Sequence, residues 1–341
     1  MSALRRLVKP RYLVWLLVLP LTLWALWSVP AGGIIATLSR LSVGQLAVIF
    51  IFNIVIVFLF SSRWWLLLRM HGYRLPYLSL VGYRLSAFGV SYFTPGPQVG
   101  GEPLQVHLLR ERHALPTPVA IASVSLDKLV ELMTNFTFVA AGLLLILRMG
   151  TSAQLPLYPM ILGFSLLLII PAVYLAVLWT GKRPLSYLRS VHSRRFHQGS
   201  IIQSALRVAS AAEQDMALLL SRKPAALFLS LLLSLLIWVC ILLEYRLTLS
   251  FLDQPVSWSA AVYLLTAARI AFLLPSPGAL GTLEVGQVLA MESLGLSPAL
   301  GISMSLLIRA RDLALGGFGL WLGAYLTQQR STKSLPSQAG D

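Results

Sequence analysis

Two short segments of the chain, 94–102 and 274–284, combine a Pro-Gly break with a glutamate that follows within a few residues. Proline removes a backbone N–H donor and glycine allows unusual dihedral angles, so each break frees backbone groups. A helix that restarts after the break directs its positive N-terminal end towards it, which suits an anion such as a phosphate. The alternative is a plain surface turn whose glutamate stabilises the first helical turn. The predicted site residues here are Pro95, Gly96, Gly101, Glu102, Pro277, Gly278, Gly281 and Glu284.

A second group of candidates consists of charged residues inside long apolar runs. Asp127 and Glu131 are four residues apart and therefore share one face of a helix. Ionisable groups near the centre of a membrane-spanning helix cost at least ~2.5 kcal/mol each, so they indicate a cavity, a proton or ion relay, or a structural ion pair. The ion pair would join the two runs, with Asp127 contacting Arg309 or Arg311. The predicted site residues of this group are Asp127, Lys128, Glu131, Arg309, Arg311 and Asp312.

The composition excludes an ordinary soluble enzyme. Of 341 residues, 57% are apolar and only 11% are charged, and the mean hydropathy is +0.77. Lys and Arg exceed Asp and Glu by 27 to 12, but these basic residues flank apolar runs as cytoplasmic anchors do, which argues against nucleic acid as a partner. The single cysteine, Cys240, lies in an apolar run, and no zinc, nucleophile or phosphate-loop motif occurs. We therefore expect no metal, no cofactor and no catalytic residue.

Six apolar runs are long enough to cross a bilayer as helices at ~1.5 Å per residue. The first follows a basic N-terminus and is too long for the apolar core of a cleaved signal peptide, so we expect it to be retained. The second is followed by Arg63, Arg69, His71 and Arg74, which predicts that the chain returns there to the cytoplasmic side. The six predicted spans are 12–29, 43–60, 119–147, 157–179, 225–249 and 300–326.

The basic residues also predict the sidedness of the remaining segments. The linker 181–223 carries eight basic residues against two acidic ones, so it should be cytoplasmic, and its amphipathic part 198–220 should rest on the inner leaflet. Counting spans from this linker, segment 78–113 enters and leaves from the inside and segment 258–294 from the outside. We therefore predict an all-α polytopic membrane protein with six full spans, two re-entrant broken hairpins, cytoplasmic termini and a disordered tail, 327–341. The alternative is eight full spans.

The chain matches itself when it is shifted by 182 residues. The shift aligns the two Pro-Gly breaks, places Glu102 on Glu284, and places the run 43–60 on 225–242. Because the two hairpins are predicted to open to opposite faces, the halves are predicted to be inverted repeats, an architecture of transporters with sites near the membrane midplane. The predicted repeats are 1–150 and 155–326.

These motifs resemble the lysylphosphatidylglycerol synthase transmembrane family of flippase-like membrane proteins, over nearly the whole chain. The resemblance rests on Pro95-Gly96 to Gly101-Glu102 with Gln105, His107 and Arg110, on Asp127-Lys128 and Glu131, on Pro277-Gly278 with Gly281 and Glu284, and on Arg309. Where the family usually has Asp-Arg, this chain has Asp127-Lys128. The resemblance implies a lipid translocator of the cytoplasmic membrane. Bifunctional members add a soluble aminoacyl-transferase domain, for which these 341 residues leave no room, so we expect no enzyme.

The first functional hypothesis is thus a translocator that moves an anionic or polyprenyl-linked lipid headgroup along Arg309, Arg311 and Lys128. One alternative is an intramembrane lipid-modifying transferase that uses Glu102 or Glu284 as a base. Another is a membrane scaffold for a lipid- or glycan-modifying enzyme, which would be its partner beside membrane lipids. An enzyme usually needs one asymmetric site, whereas both halves here keep the same Pro-Gly break and glutamate, which favours transport.

Overall fold

The computed structural model describes residues 39–94, 100–149, 157–187, 201–274 and 279–328, and every regular element within them is helical. The all-α prediction is therefore confirmed. The helices are α1 (Val43–Met70), α2 (Tyr77–Phe93), α3 (Glu102–His113), α4 (Thr117–Met149), α5 (Leu157–Trp179), α6 (Ile201–Arg222), α7 (Ala225–Phe251), α8 (Trp258–Leu273), α9 (Thr282–Ser293) and α10 (Pro298–Gln328).

Four of these helices are long and apolar enough to cross a membrane. They are Val43–Met70, Thr117–Met149, Tyr158–Trp179 and Ala225–Phe251. Each contains or closely matches a predicted span, so the chain is a polytopic membrane protein. The predicted span 12–29 lies outside the described residues, as does nearly all of the predicted tail.

Helix α10 is also long enough, since its 31 residues extend over ~46 Å. Its middle carries Arg309, Arg311 and Asp312, however, so it lacks the composition of a lipid-facing span. Helix α2 packs along it more extensively than any other two described helices pack together. Helix α2 therefore covers much of α10, whose charged residues would be costly to expose to lipid.

The two predicted hairpins each consist of two short helices. Helices α2 and α3 have 17 and 12 residues, and helices α8 and α9 have 16 and 12. At ~1.5 Å per residue all four are shorter than the ~30 Å hydrocarbon core. The outer ends of the two hairpins agree with the predicted segments 78–113 and 258–294 within one residue. Whether the hairpins are re-entrant, and to which face each opens, stays a prediction.

Helix bounds repeat along the chain with nearly the predicted offset. The helices α1, α2, α3 and α4 begin 180 to 182 residues before α7, α8, α9 and α10 respectively. Helix α1 packs against its counterpart α7, whereas α2 packs on α10 and α8 packs on α4. The first helix of each hairpin thus packs on the long helix of the other half, whereas the second helix packs on that of its own half. The inverted relation of the halves stays a prediction.

Glycines allow α2 and α10 to approach closely. A Cβ atom at Gly319 would lie 2.1 Å from the carbonyl oxygen of Leu85, and one at Gly89 would lie 2.6 Å from the carbonyl oxygen of Gly316. Small residues at such contacts are typical of helix packing in membranes, where backbone proximity replaces the hydrophobic driving force.

Helix α6 forms the described part of the basic linker together with residues 181–187. Its apolar face packs on α4 and α5, and Ala212, Met216 and Leu220 are buried there. This face is therefore occupied by protein, contrary to the expectation that it rests on the inner leaflet. The buried carboxylate of Glu213 accepts hydrogen bonds from the backbone N–H groups of Leu185 and Ser186, both at 2.9 Å, which fixes the start of the linker to α6.

Candidate functional site

A cavity of about 240 Å³ lies between α1, α2, α4, α7, α8 and α10, and so between helices of both halves. Part of its wall is apolar, with Phe60, Phe88, Leu132, Ile241 and Phe272 among the lining residues. The rest is polar or charged. The charged lining residues are Arg63, Arg84, Lys128, Glu131, Glu244, Arg269, Arg311 and Asp312.

The first charged cluster forms around α4 and comprises Arg63, Arg84, Lys128, Asp127, Glu131 and Glu102. Arg63 Nε donates to Asp127 Oδ1 at 2.7 Å, and another nitrogen of the same guanidinium lies 3.2 Å from Glu131 Oε2. Arg84 from α2 contacts both carboxylates as well. Arg63 and Asp127 are 1% and 4% exposed. Two guanidinium groups thus hold two carboxylates one helical turn apart on α4.

The glutamate at the first break joins this cluster. Lys128 Nζ lies 3.2 Å from Glu102 Oε1 and 2.9 Å from Glu131 Oε1, so the lysine links the start of α3 to α4. The other oxygen of Glu102 accepts from the backbone N–H of Gly100 at 2.8 Å. Gly101 is required here, because a Cβ atom would lie 2.0 Å from the carbonyl oxygen of Ala87.

A smaller cavity of about 80 Å³ adjoins the first break. Glu102, Gln105 and Tyr92 line it, and it shares Arg84 and Lys128 with the main cavity. The start of α3 is thereby connected with the large cavity through these two basic residues.

The second charged cluster consists of Arg311, Asp312 and Glu244. Arg311 Nε lies 2.9 Å from Asp312 Oδ1, and its NH1 nitrogen lies 3.3 Å from Glu244 Oε2 on α7. Asn53 on α1 donates to the other oxygen of Glu244 at 3.4 Å. Two carboxylates therefore share one guanidinium, and the cluster carries one more acidic than basic group.

The glutamate at the second break pairs outside the cavity. Glu284 accepts from Arg309, which is 2% exposed and is not among the residues that line the main cavity. Gly281 precedes it with φ of +76°, a conformation that favours glycine. In each half the break glutamate thus pairs with a basic residue of the following long helix, Lys128 or Arg309. Arg309 therefore lies outside the lining of the main cavity, and its place on the headgroup path stays a prediction.

The predicted ion pair between the two apolar runs is wrong. Asp127 contacts Arg63 and Arg84, whereas Arg309 and Arg311 contact acidic residues of the second half. Polar contacts between the halves instead join a charged side chain to a neutral group, such as Ser234 Oγ on α7, which accepts from Arg63 at 3.0 Å. The ion pairs among the described residues consequently lie within each half.

Arg269 on α8 differs from the other basic residues that line the main cavity. Each of the other four contacts at least one carboxylate, whereas no carboxylate of the described residues lies within ion-pair distance of Arg269. Its guanidinium carbon lies 5.0 Å from the centroid of the Trp238 ring, and Trp238 stacks on Phe138 with centroids 4.1 Å apart. An aromatic face therefore supports this cation within the cavity wall.

The structure brings together most of the predicted site residues that it describes. Lys128, Glu131, Arg311 and Asp312 line the main cavity, and Glu102 and Asp127 line the smaller one. Gly101 and Gly281 shape the starts of α3 and α9, while Glu284 forms a separate pair with the buried Arg309. Pro95, Gly96, Pro277 and Gly278 lie outside the described residues. Within the described ranges, no group of side chains has the make-up of a metal site.

Four charged lining residues were not predicted as site residues. Arg63 was interpreted as a cytoplasmic anchor, but α1 continues seven residues beyond it and buries it. Glu244 lies near the predicted end of a span, yet it is 7% exposed and faces the cavity. Arg84 and Arg269 lie within short apolar segments of the sequence. That position indicates a functional or structural role for each residue, because a cation in an apolar segment needs a partner.

The geometry is that of a membrane protein with a charged internal cavity, and comparison with known families agrees with it. The chain belongs to the family described as lysylphosphatidylglycerol synthase TM region, whose model matches residues 12–318. The matched region includes both breaks and every residue that lines the cavity. No match was found among curated proteins or among solved structures.

Proposed function

We propose that this protein is a lipid translocator of the cytoplasmic membrane, with both termini on the cytoplasmic side. The observation that carries this proposal is the cavity, which is lined by both charged and apolar side chains and lies between helices of both halves. A lipid combines the same two kinds of group, a polar headgroup and hydrocarbon chains. The family supports a role connected with membrane lipids.

The charged wall favours an anionic headgroup. Five basic and three acidic side chains line the cavity, so the surface that a ligand meets is positive. A headgroup phosphate that leaves water for the membrane interior loses hydration worth several kcal/mol, and guanidinium and ammonium groups can replace it. Lys128 and Arg311 are the predicted path residues that remain in this wall.

Because the ion pairs lie within each half, the two halves can move relative to each other. Both charged clusters are satisfied mainly within their own half, so the halves can shift relative to each other without breaking a buried ion pair. Breaking such a pair would cost about 3–5 kcal/mol. Passage of a headgroup between the halves therefore avoids that cost.

The test is lipid movement in liposomes that contain the purified protein. Fluorescent phosphatidylglycerol is incorporated in both leaflets, and an impermeant quencher reports how fast the inner pool becomes accessible. We expect exchange well above that of protein-free liposomes. The variant Leu132→Trp fills the cavity and should abolish it, whereas Leu235→Trp, at a side chain 61% exposed on the outer surface of α7, should not.

Three outcomes separate the alternatives. Exchange at the protein-free rate, or equal exchange in the two tryptophan variants, would refute translocation through this cavity. A chemically altered headgroup, detected by mass spectrometry of the same liposomes, would favour an intramembrane transferase. Absence of both effects would favour a scaffold for a lipid- or glycan-modifying enzyme.

A further inference from the structure

We propose that Arg269 binds the phosphate of the translocated lipid and that this lipid carries a phosphodiester with a single negative charge. The proposal rests on the proposed function and specifies its substrate class. It follows from three observations on the cavity: the ion pairs of its basic residues, the support of Arg269 by an aromatic face, and the balance of charges around it.

The ion pairs leave one guanidinium for a ligand. Arg63, Arg84, Lys128 and Arg311 each have a carboxylate within ion-pair distance, at 2.9 Å or less for the closest contact of each. Arg269 has none among the described residues, although it lines the same cavity. An arginine within a membrane protein that no anion contacts is costly to remove from water, and a bound phosphate would offset that cost.

The aromatic contact of Arg269 is a cation–π contact, and no described residue accepts a hydrogen bond from its guanidinium. The guanidinium carbon lies over the Trp238 ring, 5.0 Å from the centroid. The five N–H groups of a guanidinium lie in its plane and point from its edge, in a geometry that matches two oxygens of a phosphate. The stack of Trp238 on Phe138 limits rotation of the supporting ring.

The balance of charges limits the ligand to one negative charge. The first cluster has three basic and three acidic groups, and the second has one more acidic than basic group. Among the described lining residues, Arg269 is the one basic residue whose charge is not offset by a contacting carboxylate. One negative charge can be paired directly with Arg269, whereas a diphosphate would bring at least one further charge without a cation that is free to meet it.

The test measures binding of short-chain ligands to the detergent-solubilised full chain. Dihexanoyl phosphatidylglycerol supplies a lipid phosphodiester, glycerophosphoglycerol its headgroup without chains, dihexanoylglycerol the chains without phosphate, and farnesyl diphosphate a diphosphate. The variant is Arg269→Gln. The matched control is Arg246→Gln, because Arg246 also lies over a tryptophan, Trp258, at 4.5 Å but does not line the cavity.

We expect Arg269→Gln to raise the Kd for dihexanoyl phosphatidylglycerol about tenfold or more, as loss of a charged hydrogen bond does. Arg269→Lys should have a smaller effect. Binding of dihexanoylglycerol should be the same in wild type and Arg269→Gln, and Arg246→Gln should bind all four ligands as wild type does. Farnesyl diphosphate should bind wild type more weakly than the phosphodiester lipid.

Several results would overturn the proposal. Equal effects of Arg269→Gln and Arg246→Gln would show that both act only through stability. Tighter binding of farnesyl diphosphate would exclude the single-charge limit, and binding of glycerophosphoglycerol as tight as that of the lipid would indicate a soluble phosphodiester. Arg269-dependent binding without lipid exchange in liposomes would refute translocation and leave the binding site intact, so the two failures are distinguishable.

Discussion

Replacing Arg63 by methionine should destabilise the protein strongly, and replacing Asp127 as well should cost little more. Arg63 is 1% exposed, and it holds the Asp127 side chain at 2.7 Å and Glu131 at 3.2 Å. Arg63→Met keeps most of the volume but leaves the first cluster with one uncompensated negative charge. Removing one partner of a buried pair costs about 3–5 kcal/mol of unfolding free energy.

The double variant tests whether the uncompensated charge causes the loss of stability. Asp127→Asn alone leaves one uncompensated positive charge and should also cost about 3 kcal/mol. Arg63→Met combined with Asp127→Asn restores equal numbers of charges, with Arg84 still on Glu131. The combined cost should therefore be about 3 kcal/mol rather than about 6, a coupling of about 3 kcal/mol.

Unfolding in detergent, followed by tryptophan fluorescence against denaturant, gives these free energies. The control is Arg69→Met on the same helix, where an exposed arginine lies 4.8 Å from the Trp65 ring, and its loss should cost no more than about 1 kcal/mol. Additive costs of the two cluster variants would refute a charge-paired cluster and would indicate that packing alone is lost.

Three further predictions concern packing, sidedness and pH. Gly319→Ala should destabilise by about 1–3 kcal/mol because α2 and α10 must separate, whereas Gly317→Ala, where nothing lies within 4 Å, should stabilise by up to about 1 kcal/mol; thermal unfolding compares them. Cysteines at the exposed positions Arg110 and Glu292, in a background without the native cysteine, should react with an impermeant maleimide from opposite faces; labelling from the same face would exclude inverted repeats. Burial lowers the pKa of His71 below 6.5, so the folded state binds fewer protons than the unfolded state, and stability should fall as the pH drops through about 6.5; His71→Gln should flatten this dependence, and an unchanged slope would contradict it.

Helix positions could be predicted from the sequence because local signals determine them. The Pro-Gly breaks and the segments that flank them predict the two hairpins as 78–113 and 258–294, and the outer ends of the four hairpin helices lie within one residue of these bounds. The repeat offset predicted which helices have counterparts. These features depend on residues near each other in the chain, or on a simple comparison of the chain with itself.

Ion-pair partners could not be predicted, because they depend on which helices become neighbours. Arg63 and Asp127 are 64 residues apart and meet only because α1 packs beside α4. An arginine after an apolar run is usually an interfacial anchor, and only the continuation of α1 buries this one. The second charged cluster likewise forms because α7 brings Glu244 to α10.

The packing of α2 on α10 has a consequence for biogenesis. The ribosome completes α10 about 230 residues after α2, which at ~5–20 residues per second means a delay of roughly 10 to 50 s. During that interval the glycine-lined surface of α2, with Arg84 beside it, has emerged without the helix that covers it. We expect the nascent chain to rely on the insertion machinery or a membrane chaperone to shield this surface, and the first half expressed alone to be degraded unless the second half is supplied in the same cell.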